Sequence, residues 1–249
     1  MEFTNTYEDA QRAEAYAKLE FPGTYFLAYR DLPEIISAHV KGTKAIDFGC
    51  GAGRSTRFLK RLGFDTVGID SSDEMLALAR ASDPQGSYQR IENDIFASFP
   101  DHSVDLILSA FTFDNIPTAG RKVRIFGEMC RVLMPEGRVV NLVSSPEIYL
   151  HEWASFSTKD FPENRNARCG DVVRIINTDI EDRRPVEDIL WPDKDYREVY
   201  GKAGLDVVRM YEPLGRESEP VRWVNEMQMA PWVIYVMKPH ERGEYLVVG

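Results

Sequence analysis

The stretch KAIDFGCGAGRSTRFLK, from Lys44 to Lys60, decides the fold of this 249-residue chain. Its apolar start has the length of a short strand, three glycines follow at alternate positions, and the remainder is typical of a helix. Because glycine has no Cβ, a ligand can approach such a loop closely, and the free N–H groups of the following helix favour an anion. The stretch predicts a strand, a ligand-binding loop and a helix in succession.

The same rhythm of strand and helix continues as far as Ser145. Alternation of this kind is typical of βαβ units, which build a parallel sheet with helices on both faces. In such sheets, ligands bind beyond the carboxyl ends of the strands. Strands are predicted at 44–49, 65–70, 87–94, 104–111 and 137–145, and helices at 54–63, 71–82 and 121–134.

Two regions depart from that rhythm. Residues 8–40 have helical spacing with a break at Pro22-Gly23, and residues 146–190 hold aromatic and strand-like stretches without a βαβ unit. The alternation then returns, with a helix at 193–204 followed by strands at 205–214 and 231–239.

We therefore expect a single α/β domain over residues 1–249. Its core is predicted to be a doubly wound, mostly parallel seven-stranded sheet with an antiparallel C-terminal edge strand. Residues 1–40 are expected to form an N-terminal helical lid. Residues 146–190 are expected to form an insertion after strand 5, on the substrate side of the crevice.

The composition excludes several classes of partner. The formal net charge is −10 and the pI is about 5.0, whereas nucleic-acid binding usually requires a basic face. The apolar runs are strand-sized, and the acidic, polar start does not resemble a targeting peptide. The three cysteines lie far apart, which favours reduced thiols and shows no metal-ligand spacing. We expect a cytoplasmic protein with no nucleic-acid, membrane or metal partner.

Three kinds of ligand suit the glycine loop: a nucleoside triphosphate, a dinucleotide or S-adenosylmethionine. A triphosphate loop requires a lysine directly after its last glycine, and here the first lysine is Lys60. The dinucleotide fingerprint requires a glycine where Arg54 stands. The spacing that remains is Asp47, then Gly49, Gly51 and Gly53.

This spacing resembles the first motif of the class I S-adenosylmethionine-dependent methyltransferase family. Three later stretches resemble that family's further motifs in the expected order: VGIDSSDEML at 67–76, IENDIFASFP at 91–100, and SVDLILSAF at 103–111 followed by the turn LMPEGRVV at 133–140. Glu136 stands in that turn where the family more often has glycine. The resemblance is good over about residues 35 to 145 and loose in the C-terminal strands.

The resemblance implies S-adenosylmethionine as cofactor and assigns roles to several residues. Asp70 would accept hydrogen bonds from the ribose hydroxyls, because a carboxylate offers two acceptor oxygens. Asp47 would hold the ammonium, and Arg30 would pair with the carboxylate. Met75 would lie against the adenine. The full set of implied cofactor-binding residues is Tyr25, Arg30, Asp47, Gly49, Cys50, Gly51, Gly53, Asp70, Ser71, Met75, Asp94, Ile95 and Ser109.

Plain structural roles compete with some of these assignments. Asp70 could cap the next helix, although Ser71 or Ser72 could do the same. Arg30 could form a surface ion pair, and Tyr25 and Met75 could be core residues.

The acceptor is less well defined by the sequence. Methyl transfer from a sulfonium requires mainly positioning and desolvation, so no catalytic signature is expected. His151 and Glu147 are candidate bases, and Tyr149 could orient a hydroxyl or amine; a packing or surface role is the alternative for each. The aromatic residues Phe111, Phe113, Tyr149, Trp153 and Phe156 favour a small, flat or apolar acceptor.

The sequence therefore predicts a methyltransferase acting on an O, N or C atom of a small molecule. The alternatives are a protein or nucleic-acid methyltransferase, and a non-catalytic module that binds S-adenosylmethionine. The acceptor's identity, the methylated atom and the oligomeric state are left open.

Overall fold

The computed structural model describes residues 22–240, so the predicted helical segment before Pro22 lies outside the described residues. Six α-helices are described: α1 Thr24–Arg30, α2 Leu32–His39, α3 Arg54–Arg61, α4 Asp73–Ser82, α5 Ala119–Val132 and α6 Asp193–Lys202. Ten strands are described: β1 Lys44–Phe48, β2 Asp65–Asp70, β3 Ser87–Arg90, β4 Val104–Ala110, β5 Leu133–Ser144, β6 Phe156–Ser157, β7 Val172–Asn177, β8 Val186–Ile189, β9 Leu205–Tyr211 and β10 Trp232–Pro239.

Seven of these strands form one sheet in the order β3-β2-β1-β4-β5-β10-β9. The pairs from β3 to β5 are parallel, and β10 runs antiparallel to both of its neighbours, β5 and β9. The predicted fold class is confirmed. In detail, the antiparallel C-terminal strand lies one position inside the sheet, and β9 forms the edge.

The sheet is buried on both faces, which explains why its central strands are almost wholly apolar. On β4, Leu106 and Leu108 pack with α1, α2 and α3, whereas Ile107 between them packs with α5 and α6. Successive side chains of a strand point to opposite faces. Each central strand therefore contributes to two hydrophobic layers.

Some element bounds differ from the sequence prediction. Strand β5 begins at Leu133, directly after α5, and runs through Pro135 and Gly137, where we expected a turn. Pairing with β4 explains this, because Val104 pairs with Leu133 before the register shifts. Strand β3 ends at Arg90, earlier than predicted.

Residues 146–190 contain a small antiparallel sheet in the order β6-β7-β8. This sheet packs against α1 and the main sheet through aromatic rings. The ring centroid of Tyr25 on α1 lies 5.2 Å from that of Phe156 on β6 and 5.7 Å from that of Trp232 on β10. The N-terminal helices, the insertion and the main sheet thus share one hydrophobic cluster.

Candidate functional site

A cavity of about 440 Å³ lies at the carboxyl ends of β1, β2 and β4; we call it the main cavity. Its walls come from the glycine loop, the β2–α4 connection, the segment after β3 and the loop after β4. Helix α1 contributes Tyr25 and Tyr29. The volume suits a ligand of nucleoside size.

The glycine loop presents backbone to this cavity. Gly49, Gly51 and Gly53 all have positive φ, at 68°, 51° and 79°. This left-handed region is costly for residues that carry a Cβ. At Gly51, a Cβ would lie 2.9 Å from Cε of Met75, which also lines the cavity. Glycine is therefore required here both by the conformation of the turn and by the available space.

Asp70, the last residue of β2, fastens the glycine loop to the neighbouring strand. Its Oδ2 accepts a hydrogen bond from Gly51 N at 2.8 Å, and its Oδ1 accepts one from Ser72 N at 2.9 Å. Burial raises the pKa of Asp70, while these backbone N–H groups oppose the shift. The cap of α4 is Ser72, whose hydroxyl accepts from Met75 N. Asp70 is thus free of the capping role and lines the main cavity.

Asp47 lies behind the glycine loop and is fully buried. Its Oδ2 accepts hydrogen bonds from the Ser55 and Thr56 hydroxyls at 2.7 and 2.6 Å, which ties β1 to the start of α3. Its Oδ1 is buried and has no hydrogen-bond partner among the described residues. Burial raises the pKa of Asp47 to about 6. The unpaired oxygen is available to accept a hydrogen bond from a ligand, because buried polar atoms are normally hydrogen-bonded.

Asp94 lines the main cavity and is held by an arginine that the sequence did not reveal. The Asp94 carboxylate accepts hydrogen bonds from Arg121 Nε at 2.8 Å and Nη2 at 2.9 Å. Asn93 and Asp94 both have positive φ, which turns the chain away from β3. The neighbouring Ile95 is 53% exposed and does not line the cavity.

Arg54 lines the main cavity, as do Arg90 and Arg121, whereas Arg30 does not. The Arg54 guanidinium lies over the rings of Tyr25 and Tyr29, 5.1 and 5.6 Å from their centroids, at the first residue of α3. Arg30 instead bonds to Asp31 at 2.7 Å and to Glu219 at 2.5 Å, away from the cavity. The assignment of Arg30 to the cavity is therefore corrected. The alternative role of Arg30, an ion pair, is the one that the structure shows.

The remaining predicted cofactor residues divide into two groups. Tyr25, Gly49, Cys50, Ser71 and Met75 line the main cavity. Gly53 and Ser109 do not line it, although they lie in the loop and strand that build it, and Asp47 does not line it either. Burial raises the pKa of the Cys50 thiol well above its usual value, so this cysteine is a small loop residue and not a nucleophile.

A second, smaller cavity of about 30 Å³ adjoins the main cavity; we call it the inner chamber. Tyr25, Phe111 and Asn115 line both spaces. The apolar wall of the chamber includes the rings of Phe156 and Trp232. Its polar wall consists of Asp114, Asn115, Ser144, Tyr149 and Asp188.

The polar wall of the inner chamber is a buried network. Asp114, in a short 3-10 helix after β4, accepts from Ser144 N at 3.0 Å and from the Ser144 hydroxyl at 2.8 Å. Asp188, on β8, accepts from the Tyr149 hydroxyl at 3.0 Å. Burial raises the pKa of Asp114 to about 6, and burial together with the charge of Asp114 raises the pKa of Asp188 well above its usual value.

A buried lysine lies behind this network. Lys122 on α5 donates to the Phe113 carbonyl, and its Nζ lies 4.7 Å from the ring centroid of Trp191. Burial lowers the pKa of Lys122 to about 7, and the charges of Asp114 and Asp188 oppose this shift. The network therefore combines two carboxyl groups with one amine.

The three catalytic candidates are separated by the fold. His151 and Glu147 form a pair at 3.1 Å on the surface, with side chains 37% and 48% exposed, and neither lines a cavity. Tyr149 is buried and lines the inner chamber. The assignment of His151 and Glu147 as bases is thus not supported by their positions. Of the five aromatics expected at the acceptor site, Phe113 and Trp153 are core residues outside both cavities.

Sequence comparison finds known domains that are similar to part of the chain. Residues 46–141 match a family model described as a methyltransferase domain. The demethylmenaquinone methyltransferase of Tropheryma whipplei is 38% identical over 104 residues, covering 40% of this chain and 41% of that protein. The trans-aconitate 2-methyltransferase of Rhizobium rhizogenes is 40% identical over 76 residues, covering 30% and 29%. The chain matches less than half the length of each of these relatives.

Structure comparison extends the likeness to most of the described fold. An S-adenosylmethionine-dependent methyltransferase from Mesorhizobium loti superimposes with a TM-score of 0.60 at 19% identity, covering 85% of this chain and 97% of that chain. The CcbJ methyltransferase from Streptomyces caelestis gives a TM-score of 0.61 at 15% identity, covering 89% and 100%. These structures share the fold of this chain, and the similarity to a methyltransferase domain covers residues 46–141.

Two further properties bear on the site. Within residues 22–240, no helix is long and apolar enough to cross a membrane. The same residues contain no group of three or more His, Cys, Asp or Glu side chains placed to hold a metal ion.

Proposed function

We propose that this chain, with its methyltransferase domain and fold, transfers a methyl group from S-adenosylmethionine to an O, N or C atom of a small molecule. One observation carries the proposal: the glycine loop and Asp70 are joined by a hydrogen bond at the wall of a nucleoside-sized cavity. Both relatives described above are named as methyltransferases of small molecules.

The chain's residues fit the chemistry of this cofactor. The space that a Cβ at Gly51 would fill is left for the ligand. Asp70 retains lone pairs for the ribose hydroxyls, because each carboxylate oxygen accepts more than one hydrogen bond. The unpaired Asp47 Oδ1 suits the ammonium, directly or through water. Arg54 and the N-terminus of α3 suit the carboxylate, the role first given to Arg30.

Asp94 and Met75 complete the cofactor end of the cavity. Met75 is buried against the glycine loop and suits an aromatic base. Asp94, held in place by Arg121, suits the exocyclic amine of adenine. When bound, the cofactor supplies a methyl group that is already activated by its sulfonium. The protein's contribution is therefore to orient the acceptor and exclude water.

The acceptor end is formed by α1, the loop after β4 and the insertion. Tyr25 on α1 lies between the main cavity and the inner chamber, which supports a covering role for the N-terminal segment. Residues of the insertion, including Phe156 and Asp188, line the inner chamber, which supports a substrate-side role for 146–190. The aromatic walls favour an acceptor with an aromatic or other apolar body. We propose that the acceptor is not a nucleic acid, because the net charge is −10, and that the enzyme is cytoplasmic, because its three cysteines are sparse and far apart.

Calorimetric binding of S-adenosylhomocysteine tests the cofactor assignment. Asp65 and Asp70 begin and end the same strand, so Asp65→Ala is a matched control for Asp70→Ala. We expect Asp70→Ala to weaken binding by about 1–3 kcal/mol, since hydrogen-bonding groups lose their partner. Asp65→Ala should bind like the unchanged protein. Equal affinities of the two variants, or binding of NAD in place of S-adenosylhomocysteine, would contradict the assignment.

Enzymatic activity is tested separately from binding. Release of S-adenosylhomocysteine from S-adenosylmethionine should depend on a small-molecule acceptor. A protein that binds the cofactor but transfers no methyl group to a broad panel of small molecules, proteins and nucleic acids would be a non-catalytic module. Transfer only to protein or nucleic acid would support the other alternative.

A further inference from the structure

The inner chamber contains hydrogen-bond acceptors whose donors are missing. Tyr149 donates to Asp188 Oδ2, and the Asp188 Oδ1 atom receives no hydrogen bond from any residue between 22 and 240. Asp188 is 8% exposed overall, and it lines the chamber. Asn115 Oδ1 is also buried without a partner in the described part of the chain, and Asn115 lines both cavities.

The hydroxyl donors of the polar wall are already used within it. The Ser144 hydroxyl donates to Asp114, and the Tyr149 hydroxyl donates to Asp188. A hydroxyl group has only one proton to donate. Asn115 uses one of its two amide N–H bonds to donate to a backbone carbonyl at 3.4 Å and keeps the other. The atoms that lack a partner at this wall, Asp188 Oδ1 and Asn115 Oδ1, are acceptors. A hydroxyl or amino group, which can donate as well as accept, satisfies this wall, whereas a group that only accepts leaves these oxygens unpaired.

The size of the chamber restricts that group further. About 30 Å³ has room for a group the size of a water molecule. A hydroxyl or amino group has that size, whereas a carboxylate is larger. Burial raises the pKa of both carboxyl groups of the wall, Asp114 and Asp188, because it disfavours their charged forms, and a ligand carboxylate would meet the same penalty.

From these observations we propose that the inner chamber selects methyl acceptors that carry a hydroxyl or amino group on an apolar body, and rejects acids. The proposal rests on the proposed function, since it describes the acceptor end of the same site. The apolar body would lie in the main cavity against Tyr25 and Phe111, and the donor group would reach Asp188 and Asn115. Asp188 is a positioning residue in this arrangement.

A series of single-ring compounds tests the proposal. Phenol, aniline, toluene and benzoate share one ring and differ in the group they would present to the chamber. Binding is measured by NMR titration of the protein saturated with S-adenosylhomocysteine. We expect phenol and aniline to bind about tenfold or more tightly than toluene, the effect of an added hydrogen bond to a buried acceptor, and benzoate to bind weakest.

Variants then assign the preference to the chamber. Asp188→Asn keeps the shape but replaces one acceptor oxygen by an amide donor, so it should lower the preference for phenol over toluene, while Asn115 Oδ1 remains as an acceptor. Tyr149→Phe should leave Asp188 with two unpaired oxygens and keep the preference. Asp160→Asn, at an exposed position of the insertion, is the matched control. Unfolding midpoints show whether each variant remains folded.

Three outcomes would overturn the proposal. Benzoate could bind as tightly as phenol, the preference for phenol could be unchanged in folded Asp188→Asn, or none of the four compounds could bind at millimolar concentration. Failure of the proposed function is distinguishable, because S-adenosylhomocysteine binding is measured first and independently. If S-adenosylhomocysteine does not bind, titration of the free protein with the same four compounds still tests the chamber.

Discussion

Replacing Gly51 by alanine tests the glycine loop most directly, because the chain offers a matched control in Gly63. Both residues have positive φ, 51° at Gly51 and 92° at Gly63. Alanine in the left-handed region costs about 1–2 kcal/mol of folding free energy. We therefore expect both variants to lose stability to a similar degree in urea unfolding.

The two variants should differ in ligand affinity. At Gly63 an added Cβ meets nothing within 4 Å, whereas at Gly51 it lies 2.9 Å from Cε of Met75. Either the Met75 methyl moves into the main cavity or the loop shifts and strains the hydrogen bond from Gly51 N to Asp70. Both movements take space or hydrogen bonds from the ligand. We expect the Kd for S-adenosylhomocysteine to rise at least about tenfold, or about 1.4 kcal/mol, in Gly51→Ala alone.

Calorimetry at one temperature, with unfolding curves for all variants, gives both quantities. The double variant Gly51→Ala, Met75→Ala removes the closest contact, so a double-mutant cycle separates crowding by Met75 from strain in the turn. If the crowding dominates, the double variant should lose less affinity than the sum of the two single changes. Unchanged affinity in a folded Gly51→Ala protein would refute the placement of the ligand against this loop.

Three further outcomes are expected. Arg54→Gln should weaken S-adenosylhomocysteine binding with little effect on stability. Arg30→Gln should lower stability by about 1–2 kcal/mol and leave binding unchanged, since it loses ion pairs and a hydrogen bond to the Leu214 carbonyl, all away from the cavity; the reverse pattern would restore Arg30 to the site. The pKa of Asp47 rises from 3.8 to about 6 on folding, so the folded protein binds this proton more tightly than the unfolded chain does. The stability gained from the proton is complete below pH about 4 and is lost as pH rises through 6. Asp47→Asn should remove up to about 3 kcal/mol of that pH-dependent loss, and parallel stability curves for the two proteins would exclude it. Phe126→Ala should destabilise by about 3–5 kcal/mol because its buried ring stacks on another at 4.0 Å, whereas Val208→Ala at an exposed position should cost little by the same urea unfolding measurement; equal losses would contradict the packing.

The predicted elements that match best are those whose ends are set by neighbouring residues in the sequence. Strand β2 covers the predicted residues 65–70, because a glycine at 63 precedes it and a serine cap follows. The predicted start of β5 was wrong, because the pairing partner of Leu133 is Val104 on another strand. Proline and glycine normally indicate a turn, and here sheet pairing outweighs that local preference.

Some contacts of the candidate site could likewise be predicted from the sequence, and others could not. The approach of the glycine loop to Asp70 could be predicted, because the carboxyl ends of adjacent parallel strands meet at one edge. That Arg30 is held away from the cavity could not be predicted, because one of its partners is Glu219, 189 positions later. For Arg54 the sequence does contain a signal, since this arginine directly follows the last glycine of the loop.

The sequence alone determined the α/β sheet and showed that the glycine loop lies at the carboxyl ends of its strands. Three features were enough for this: the periodicity, the glycine spacing and the acid at the end of β2. These features depend on contacts between near neighbours and on the general geometry of parallel strands. The inner chamber required the folded chain, because Asp114 and Asp188 lie on separate elements and neither belongs to a motif. Burial and proximity give these carboxyl groups their altered pKa values, and both properties arise only when distant segments pack together.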